Sequence, residues 1–206
     1  MKYESELKFA ISTAKEAGKI LMQHFGKIEP GKPRDAVKGL LSIADIESDN
    51  YIRAVIENAY PHHGLLTEES KPKEGQDFTW VVDPIDGTTN FTHKIPNFVF
   101  YIALTKQDKP CVGVAYNPAL DELFHAVRGE GAYENGKRIF VSKNPIDQSI
   151  IIVANNYLFP SLKLKGMKLL DLLTEEIKPG VQRTFRQRIN EDGNCLPYLA
   201  KGSYDA

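Results

Sequence analysis

The stretch Trp80-Val81-Val82-Asp83-Pro84-Ile85-Asp86-Gly87-Thr88-Thr89-Asn90-Phe91 decides how this chain is interpreted. Its β-branched start predicts a strand, and Pro84, which has no N–H to donate to a neighbouring strand, predicts that the strand ends about there. Gly87 permits a tight reversal. Asp83 and Asp86 should then face the same space, and two carboxylates suit Mg²⁺ better than zinc. The same spacing also occurs in ordinary loops that close a hairpin.

A third acid strengthens the metal interpretation. Glu68 follows a short apolar segment at residues 65–67, and Asp83 ends the next one. If those two strands are neighbours, Glu68, Asp83 and Asp86 converge on one edge, where they would repel each other and raise one another's pKa unless a cation is bound. Two or more Mg²⁺ ions would relieve this repulsion, and two-metal sites are typical of phosphate-ester hydrolysis. The alternative is that Glu68-Glu69 is only a solvated acidic pair at the start of a loop.

Composition narrows the class of protein. The 206 residues fit one large domain or two small ones, with 42% hydrophobic and 26% charged residues. A net charge of -1 predicts no general attraction to nucleic acid or to an anionic membrane, so an anionic substrate needs a local site. Two cysteines, Cys111 and Cys195, are too few for a disulfide framework. With a polar N-terminus and no apolar run of about 20 residues, we expect a soluble cytoplasmic protein.

The order of predicted elements is two helices, many strands, and then helices mixed with strands. The first helix has apolar positions from Leu7 to Phe25 and ends at Gly26, and the second ends before Pro61. A mobile basic loop is predicted between them at residues 29–39. Strands are predicted at 65–67, 98–106, 112–117, 123–127, 139–142 and 150–154, with a leucine-rich helix at 162–173, a strand near Val181 and a last helix at 196–200. This order favours layered α+β or α/β over a repeated βαβ unit.

The segment Asp83-Pro84-Ile85-Asp86-Gly87-Thr88-Thr89-Asn90-Phe91 resembles the signature of the inositol monophosphatase family, a group of Mg²⁺-dependent, lithium-sensitive phosphatases. Three more segments match in order: Lys38 with Leu41-Ser42-Ile43-Ala44-Asp45, then Glu68-Glu69-Ser70, then Gly129-Glu130-Gly131-Ala132-Tyr133 with Asn135-Gly136. The resemblance implies one domain over residues 1–206, a layered αβαβα sandwich of the inositol monophosphatase/fructose bisphosphatase type, and pairing as a homodimer.

The resemblance also implies the metal ligands. Glu68, Asp83 and the Ile85 carbonyl would bind a first Mg²⁺ ion. Asp83 and Asp86 would bind a second ion, and Glu68 would help to hold a third, weaker one. Glu68 would thereby also belong to the catalytic group.

The remaining roles concern water and phosphate. Thr88, paired with Asp45, would orient and deprotonate the attacking water, although a threonine here can also be a simple helix N-cap. The backbone N–H groups of Gly87, Thr88 and Thr89 would bind phosphate oxygens if a helix begins there. Lys38 either contacts the substrate or is a solvated surface lysine.

Two departures from the family pattern stand out. The family takes another metal-binding aspartate from a later Trp-Asp segment, whereas the only tryptophan here is Trp80. We therefore expect a C-terminally shortened chain, incomplete in the last part of the fold, with a weakened second metal site. Asn190-Glu191-Asp192 stands where the family carries small residues on the substrate side. These acids would repel a phosphate ester unless the segment is displaced or pairs with Arg186 or Arg188.

The leading hypothesis is an Mg²⁺-dependent phosphomonoesterase acting on an inositol monophosphate or a similar polyol or sugar phosphate. A fructose-1,6-bisphosphatase is the second enzyme hypothesis. The 3′-nucleotidase branch is disfavoured because it carries Lys-Glu in place of Thr89-Asn90. A catalytically impaired or non-catalytic member that binds metal or a partner protein is the alternative from another class.

Overall fold

The computed structural model describes residues 2–27, 34–68, 70–143, 150–153, 186–189 and 195–203. The chain divides into two compact units, Met1–Phe140 and Val141–Ala206. The described helices are α1 Glu4–His24, α2 Arg34–Ala59, α3 Thr88–Thr92 and α4 Cys195–Ala200. The described strands are β1 Gly64–Thr67, β2 Phe78–Asp86, β3 Val99–Lys106, β4 Lys109–Asn117, β5 Glu122–Val127, β6 Gly131–Glu134, β7 Lys137–Ile139, β8 Ile150–Val153 and β9 Arg186–Ile189.

The first unit is built on a seven-stranded sheet whose spatial order follows the sequence, β1 to β7. β1 pairs with β2 in parallel, and every later neighbour is antiparallel. The hairpin between β6 and β7 turns at Asn135 and Gly136, which have φ angles of 45° and 79°. Two consecutive left-handed residues are the geometry that an Asn-Gly hairpin turn requires. In the second unit, β8 and β9 pair in parallel.

The helices α1 and α2 contact each other and pack against the sheet. Cross-strand pairing puts Trp80, Leu104 and Val112 on one sheet face, where they belong to the same buried cluster as the helix residues. The small side chains of α1 permit close packing, and a Cβ on Gly18 would lie 2.7 Å from Tyr116 Cε1. The predicted buried face of α1 is confirmed at Leu7, Ala10, Ala14, Ala17, Gly18 and Leu21, and α1 ends at His24 just before Gly26.

Three predicted boundaries are wrong, and one of them is the strand expected at residues 139–142, because β7 spans Lys137–Ile139. The mobile loop expected at residues 29–39 is helical from Arg34 onward, so Lys38 lies within α2. The residues after Arg34 are mostly good helix formers, and one glycine, Gly39, costs only about 1 kcal/mol in a helix that tertiary packing stabilises. β2 continues through Pro84 to Asp86. The leucine-rich helix predicted at 162–173 and the strand near Val181 lie outside the described residues.

His63 gives the fold a predictable pH dependence. Its ring stacks on Tyr60 and Phe78, with centroids 4.8 and 5.1 Å apart, and burial lowers the pKa of His63. The stability associated with the neutral ring is therefore fully present above the unfolded pKa of about 6.5 and is lost as the pH falls through the lower folded pKa. We expect His63→Gln to reduce the loss of stability between about pH 7.5 and about pH 5.5. Urea unfolding at both pH values measures this loss of stability.

The adjacent His62 provides the control, because it is exposed and has the same chemistry. His62→Gln should leave the pH dependence of the urea midpoint close to that of the unmodified chain. If the two variants change the pH dependence equally, the burial of His63 is not its cause.

Candidate active site

The parallel pairing of β1 with β2 places the residues just before two of the predicted site residues next to each other. Thr67 pairs with Val82, and Glu68 and Asp83 are the next residues on each side. The expectation that these two strands are neighbours is therefore confirmed. Glu68 is exposed and Asp83 is half-buried. Glu68 thus follows the end of β1, and Asp83 follows the last residue of β2 that pairs with β1.

A β-bulge in β2 gives Asp83 and Asp86 a common face. Asp83 pairs with Tyr101 and Asp86 pairs with Val99, so β2 takes three steps where β3 takes two. In a regular strand, residues three apart point to opposite faces, and the extra residue of the bulge cancels that alternation. Pro84 lies inside this bulge, which is one of the few places where a sheet tolerates proline. The prediction that the strand ends at Pro84 was wrong for this reason.

The bulge is also held by a local hydrogen bond. The Ile85 N–H donates to Asp83 Oδ1 at 3.1 Å. This contact turns the Asp83 side chain toward the backbone of its own strand. Ile85 itself is buried, at 4% exposure.

Gly87 ends the strand and begins α3. Its φ of 93° lies in the left-handed region, and a Cβ there would lie 2.9 Å from Asn97 O and 3.2 Å from Phe98 Cα. The Asn97 carbonyl is in turn held by Asn90 Nδ2, which donates to it at 2.7 Å. Glycine is thus required at this position by backbone angle and by space together. The predicted reversal at Gly87 is confirmed.

A helix begins at Thr88, as the phosphate-binding prediction required. The first N–H groups of a helix have no acceptor within the helix, and they favour anions. Thr88 is half-buried and Thr89 is exposed. The helix that carries Asp45 and Lys38, α2, contacts α3. The pairing of Thr88 with Asp45 remains a prediction, and the side chain of Lys38 lies outside the described part.

The donor chemistry of this region fits Mg²⁺. The predicted ligands are three carboxylates and one main-chain carbonyl, all hard oxygen donors with no thiolate or imidazole among them. Within the described ranges, the side chains do not form a group of three or more His, Cys, Asp or Glu residues that could hold a metal ion. Glu69 is outside those ranges. The ligand roles of Glu68, Asp83, Ile85 and Asp86 therefore remain predictions.

One residue pair was missed by the sequence interpretation. Ser70 Oγ donates a hydrogen bond to Asp49 Oδ2, and Asp49 is only 3% exposed. The available signal was the spacing, because Asp49 follows Asp45 by four residues and so lies on the same face of α2. Asn190-Glu191-Asp192, the predicted departure on the substrate side, lies outside the described residues.

Comparison with known proteins places the chain in a family. The model of the inositol monophosphatase family matches residues 2–206. An inositol-1-monophosphatase from Mesorhizobium japonicum is 40% identical over 141 residues, which cover 66% of this chain and 52% of that protein. A fructose-1,6-bisphosphatase/inositol-1-monophosphatase from Thermotoga maritima is 36% identical over 138 residues, covering 67% and 54%. The chain thus spans about half the length of these curated relatives.

Comparison of the fold with solved structures points to the same family. The solved inositol monophosphatase from Anabaena (Nostoc) superposes with a TM-score of 0.77 at 28% identity, covering 100% of this chain and 74% of that one. The predicted class, a layered mixed α/β fold of the inositol monophosphatase type, is confirmed. The chain belongs to the inositol monophosphatase family. Among the described helices, none is long and apolar enough to cross a membrane.

Proposed function

We propose that this protein is an Mg²⁺-dependent phosphomonoesterase that hydrolyses an inositol monophosphate or a similar polyol or sugar phosphate. The observation that carries the proposal is the parallel register of β1 and β2, which pairs Thr67 with Val82, the residues just before Glu68 and Asp83. The bulge that gives Asp83 and Asp86 a common face supports it. Membership of the family and the name of the Mesorhizobium japonicum relative, an inositol-1-monophosphatase, support the choice of substrate.

Glu68, Asp83, Asp86 and the Ile85 carbonyl would hold the metal. When bound, Mg²⁺ stabilises the charge that develops on the phosphate in the transition state. Carboxylates repel each other in the absence of a cation, so we expect these side chains to draw together only when the metal binds. The Asp83 carboxylate now accepts a hydrogen bond from the Ile85 N–H. On binding metal, it would either give up that hydrogen bond or keep it alongside the metal contact.

The other residues would position water and substrate. Thr88 would orient a water molecule and accept its proton, while passing its own hydroxyl proton to the Asp45 carboxylate on the adjoining helix α2. The backbone N–H groups of Gly87, Thr88 and Thr89 would receive phosphate oxygens at the start of α3. Lys38, which lies seven residues before Asp45 in α2, would supply positive charge to the phosphate.

The experiment is phosphate release from inositol 1-phosphate, measured with Mg²⁺ and with an excess of chelator. We expect release that depends on Mg²⁺ and saturates with it. Absence of release at every Mg²⁺ concentration, with circular dichroism showing a folded chain, would refute the phosphatase proposal. Calorimetric Mg²⁺ binding without any release would instead support the non-catalytic, metal-binding alternative.

Fructose-1,6-bisphosphatase activity is the second candidate. The name of the Thermotoga maritima relative combines that activity with inositol-1-monophosphatase. Comparing kcat/KM for fructose 1,6-bisphosphate and inositol 1-phosphate decides between the two. The leading proposal expects the higher value for the inositol phosphate.

Lithium provides a further prediction. Li⁺ is a small, hard monovalent cation that would compete for the carboxylate oxygens of a magnesium site without supplying the same charge. We expect LiCl to inhibit Mg²⁺-dependent release, whereas KCl at the same ionic strength should not. Equal effects of the two salts would show only general screening of charge.

The proposed assembly is a cytoplasmic homodimer with a small phosphate monoester as its ligand. The family resemblance motivates the dimer, and the low cysteine content motivates the reducing compartment. Light scattering of the purified chain at two concentrations tests the oligomeric state. A monomeric mass at both concentrations would refute the dimer.

A further inference from the structure

We propose that Asp49 and Ser70 act as a positioning pair, which fixes the segment carrying Glu68 against α2 and thereby sets the affinity of the site for Mg²⁺. This inference rests on the proposed function, because it concerns the same metal site. Neither residue would touch the metal or the substrate. Their effect would be exerted through the backbone on either side of Glu68.

The first contact is a hydrogen bond from Ser70 Oγ to Asp49 Oδ2. Ser70 comes two residues after Glu68, on the segment that leaves β1. Asp49 lies on α2 and is 3% exposed, so its carboxylate is almost completely removed from water. A hydrogen bond to a desolvated carboxylate is stronger than one between neutral groups.

A second contact ties the next residue to the same helix. Arg53 Nη2 donates to the Lys71 carbonyl at 3.2 Å. Arg53 follows Asp49 by four residues, so both project from one face of α2. Two successive turns of α2 thus hold two successive residues, Ser70 and Lys71. Asp45, one turn before Asp49, belongs to the same helical face.

The buried surroundings make the Ser70 hydroxyl important to Asp49. Asp49 Oδ1, Ser48 Oγ and Thr67 Oγ1 are all buried and have no hydrogen-bond partner among the described residues. Ser70 is therefore the donor that satisfies the other carboxylate oxygen of Asp49. Removing that donor leaves a desolvated carboxylate with less compensation, which weakens the hold of α2 on the segment.

Glu68 lies between two residues that are held in place, Thr67 and Ser70. On one side, Thr67 is paired in register with Val82 of β2. On the other side, Ser70 is bound to Asp49. Glu68 is itself exposed, so its own side chain is not held by packing. Holding the chain at Thr67 and at Ser70 reduces the conformational freedom that Glu68 loses when it binds a metal, and this raises the affinity.

The test compares Ser70→Ala with Ser70→Thr and with Ser5→Ala. Calorimetry gives the Mg²⁺ dissociation constant, and phosphate release gives the Mg²⁺ concentration for half-maximal rate. We expect Ser70→Ala to raise both values about tenfold, the effect of losing one hydrogen bond to a charged group. The rate at saturating Mg²⁺ should change far less. Ser70→Thr keeps the hydroxyl and should restore both values.

Ser5→Ala removes a hydroxyl from the exposed face of α1, where Ser5 Oγ donates to Glu6, and should leave both Mg²⁺ values unchanged. A purely structural role for Ser70 predicts a lower melting temperature with an unchanged Mg²⁺ dissociation constant, and that result would overturn the inference. Undetectable Mg²⁺ binding by the unmodified chain would overturn it as well. Mg²⁺ binding that Ser70→Ala weakens, without phosphate release by any variant, would support the pair while refuting the phosphatase proposal.

Discussion

Replacing Asp83 with asparagine should lower kcat/KM for Mg²⁺-dependent phosphate release by about 100-fold or more. Asp83 would contribute a negative oxygen to two metal ions, and an amide carries no charge to offset theirs. Asparagine has nearly the same shape, and its carbonyl oxygen can still accept from the Ile85 N–H, as Asp83 Oδ1 does at 3.1 Å. The bulge in β2 should therefore persist. The measurement is steady-state phosphate release from inositol 1-phosphate over a range of Mg²⁺ concentrations.

Asp77→Asn is the matched control for this experiment. Asp77 is exposed and immediately precedes β2, so the substitution makes the same chemical change a short distance along the chain. We expect its kcat/KM to stay within about twofold of the unmodified value, as is usual for surface substitutions. Full activity in Asp83→Asn would contradict the site assignment. An equal loss in both variants would point to a general effect of charge.

Replacing Gly87 with alanine should destabilise the first unit by about 2–4 kcal/mol. The left-handed backbone at φ 93° is unfavourable for alanine, and the new Cβ would lie 2.9 Å from Asn97 O. The Asn97 carbonyl has little freedom to move because Asn90 Nδ2 is bonded to it at 2.7 Å. The substitution should also displace the start of α3 and so weaken phosphate binding. Urea unfolding measures the first effect, and KM for inositol 1-phosphate measures the second.

Gly129→Ala separates the effect of the left-handed backbone angle from the effect of the close contacts of the new Cβ. Gly129 has a φ of 83°, but a Cβ there would meet no atom within 4 Å. We expect a loss of only about 1–2 kcal/mol, from the backbone angle alone, and no change in KM. Equal losses of stability in the two variants would mean that the close approach of Asn97 and Phe98 to Gly87 has no energetic consequence.

The sequence named Asp83 and Asp86 as candidate metal ligands, but it did not show how they are brought together. The identities of Asp83 and Asp86 were clear from the signature, but their three-residue spacing does not give a common face in a regular strand. The bulge between Asp83 and Asp86 supplies that face. Proline was taken as a strand terminator because its missing N–H is costly in a regular ladder, and it is tolerated here because the bulge interrupts the ladder.

The sequence interpretation could only assume that β1 and β2 are neighbours. The structure shows that they pair. Strand pairing depends on contacts between distant residues, which local patterns do not encode. The start of α2 is a case in which tertiary packing overrides a local pattern. Its basic residues, with Gly39 near them, suggested a loop, yet packing of the later turns, where Ile52 and Ile56 are fully buried, stabilises a helix that begins at Arg34.

Asp49 was missed for a related reason. An aspartate in the middle of a helix is usually solvated, and nothing local indicates that this one is 3% exposed. Its partner Ser70 lies 21 residues away in the sequence. Spacing from Asp45 gave a hint of a shared helical face, but only the packing of the segment after β1 on α2 identifies the contact.

The central claim is that the edge formed by β1 and β2 binds a divalent metal through Asp83. The most direct measurement is anomalous diffraction from crystals of this chain grown with Mn²⁺, which accepts the same oxygen ligands as Mg²⁺. We predict an anomalous peak at a bonding distance of about 2.0–2.6 Å from the Asp83 carboxylate, with Glu68 or Asp86 as a further ligand. A structure with Mn²⁺ bound only elsewhere, or with no peak at Asp83 at saturating Mn²⁺, would contradict the claim.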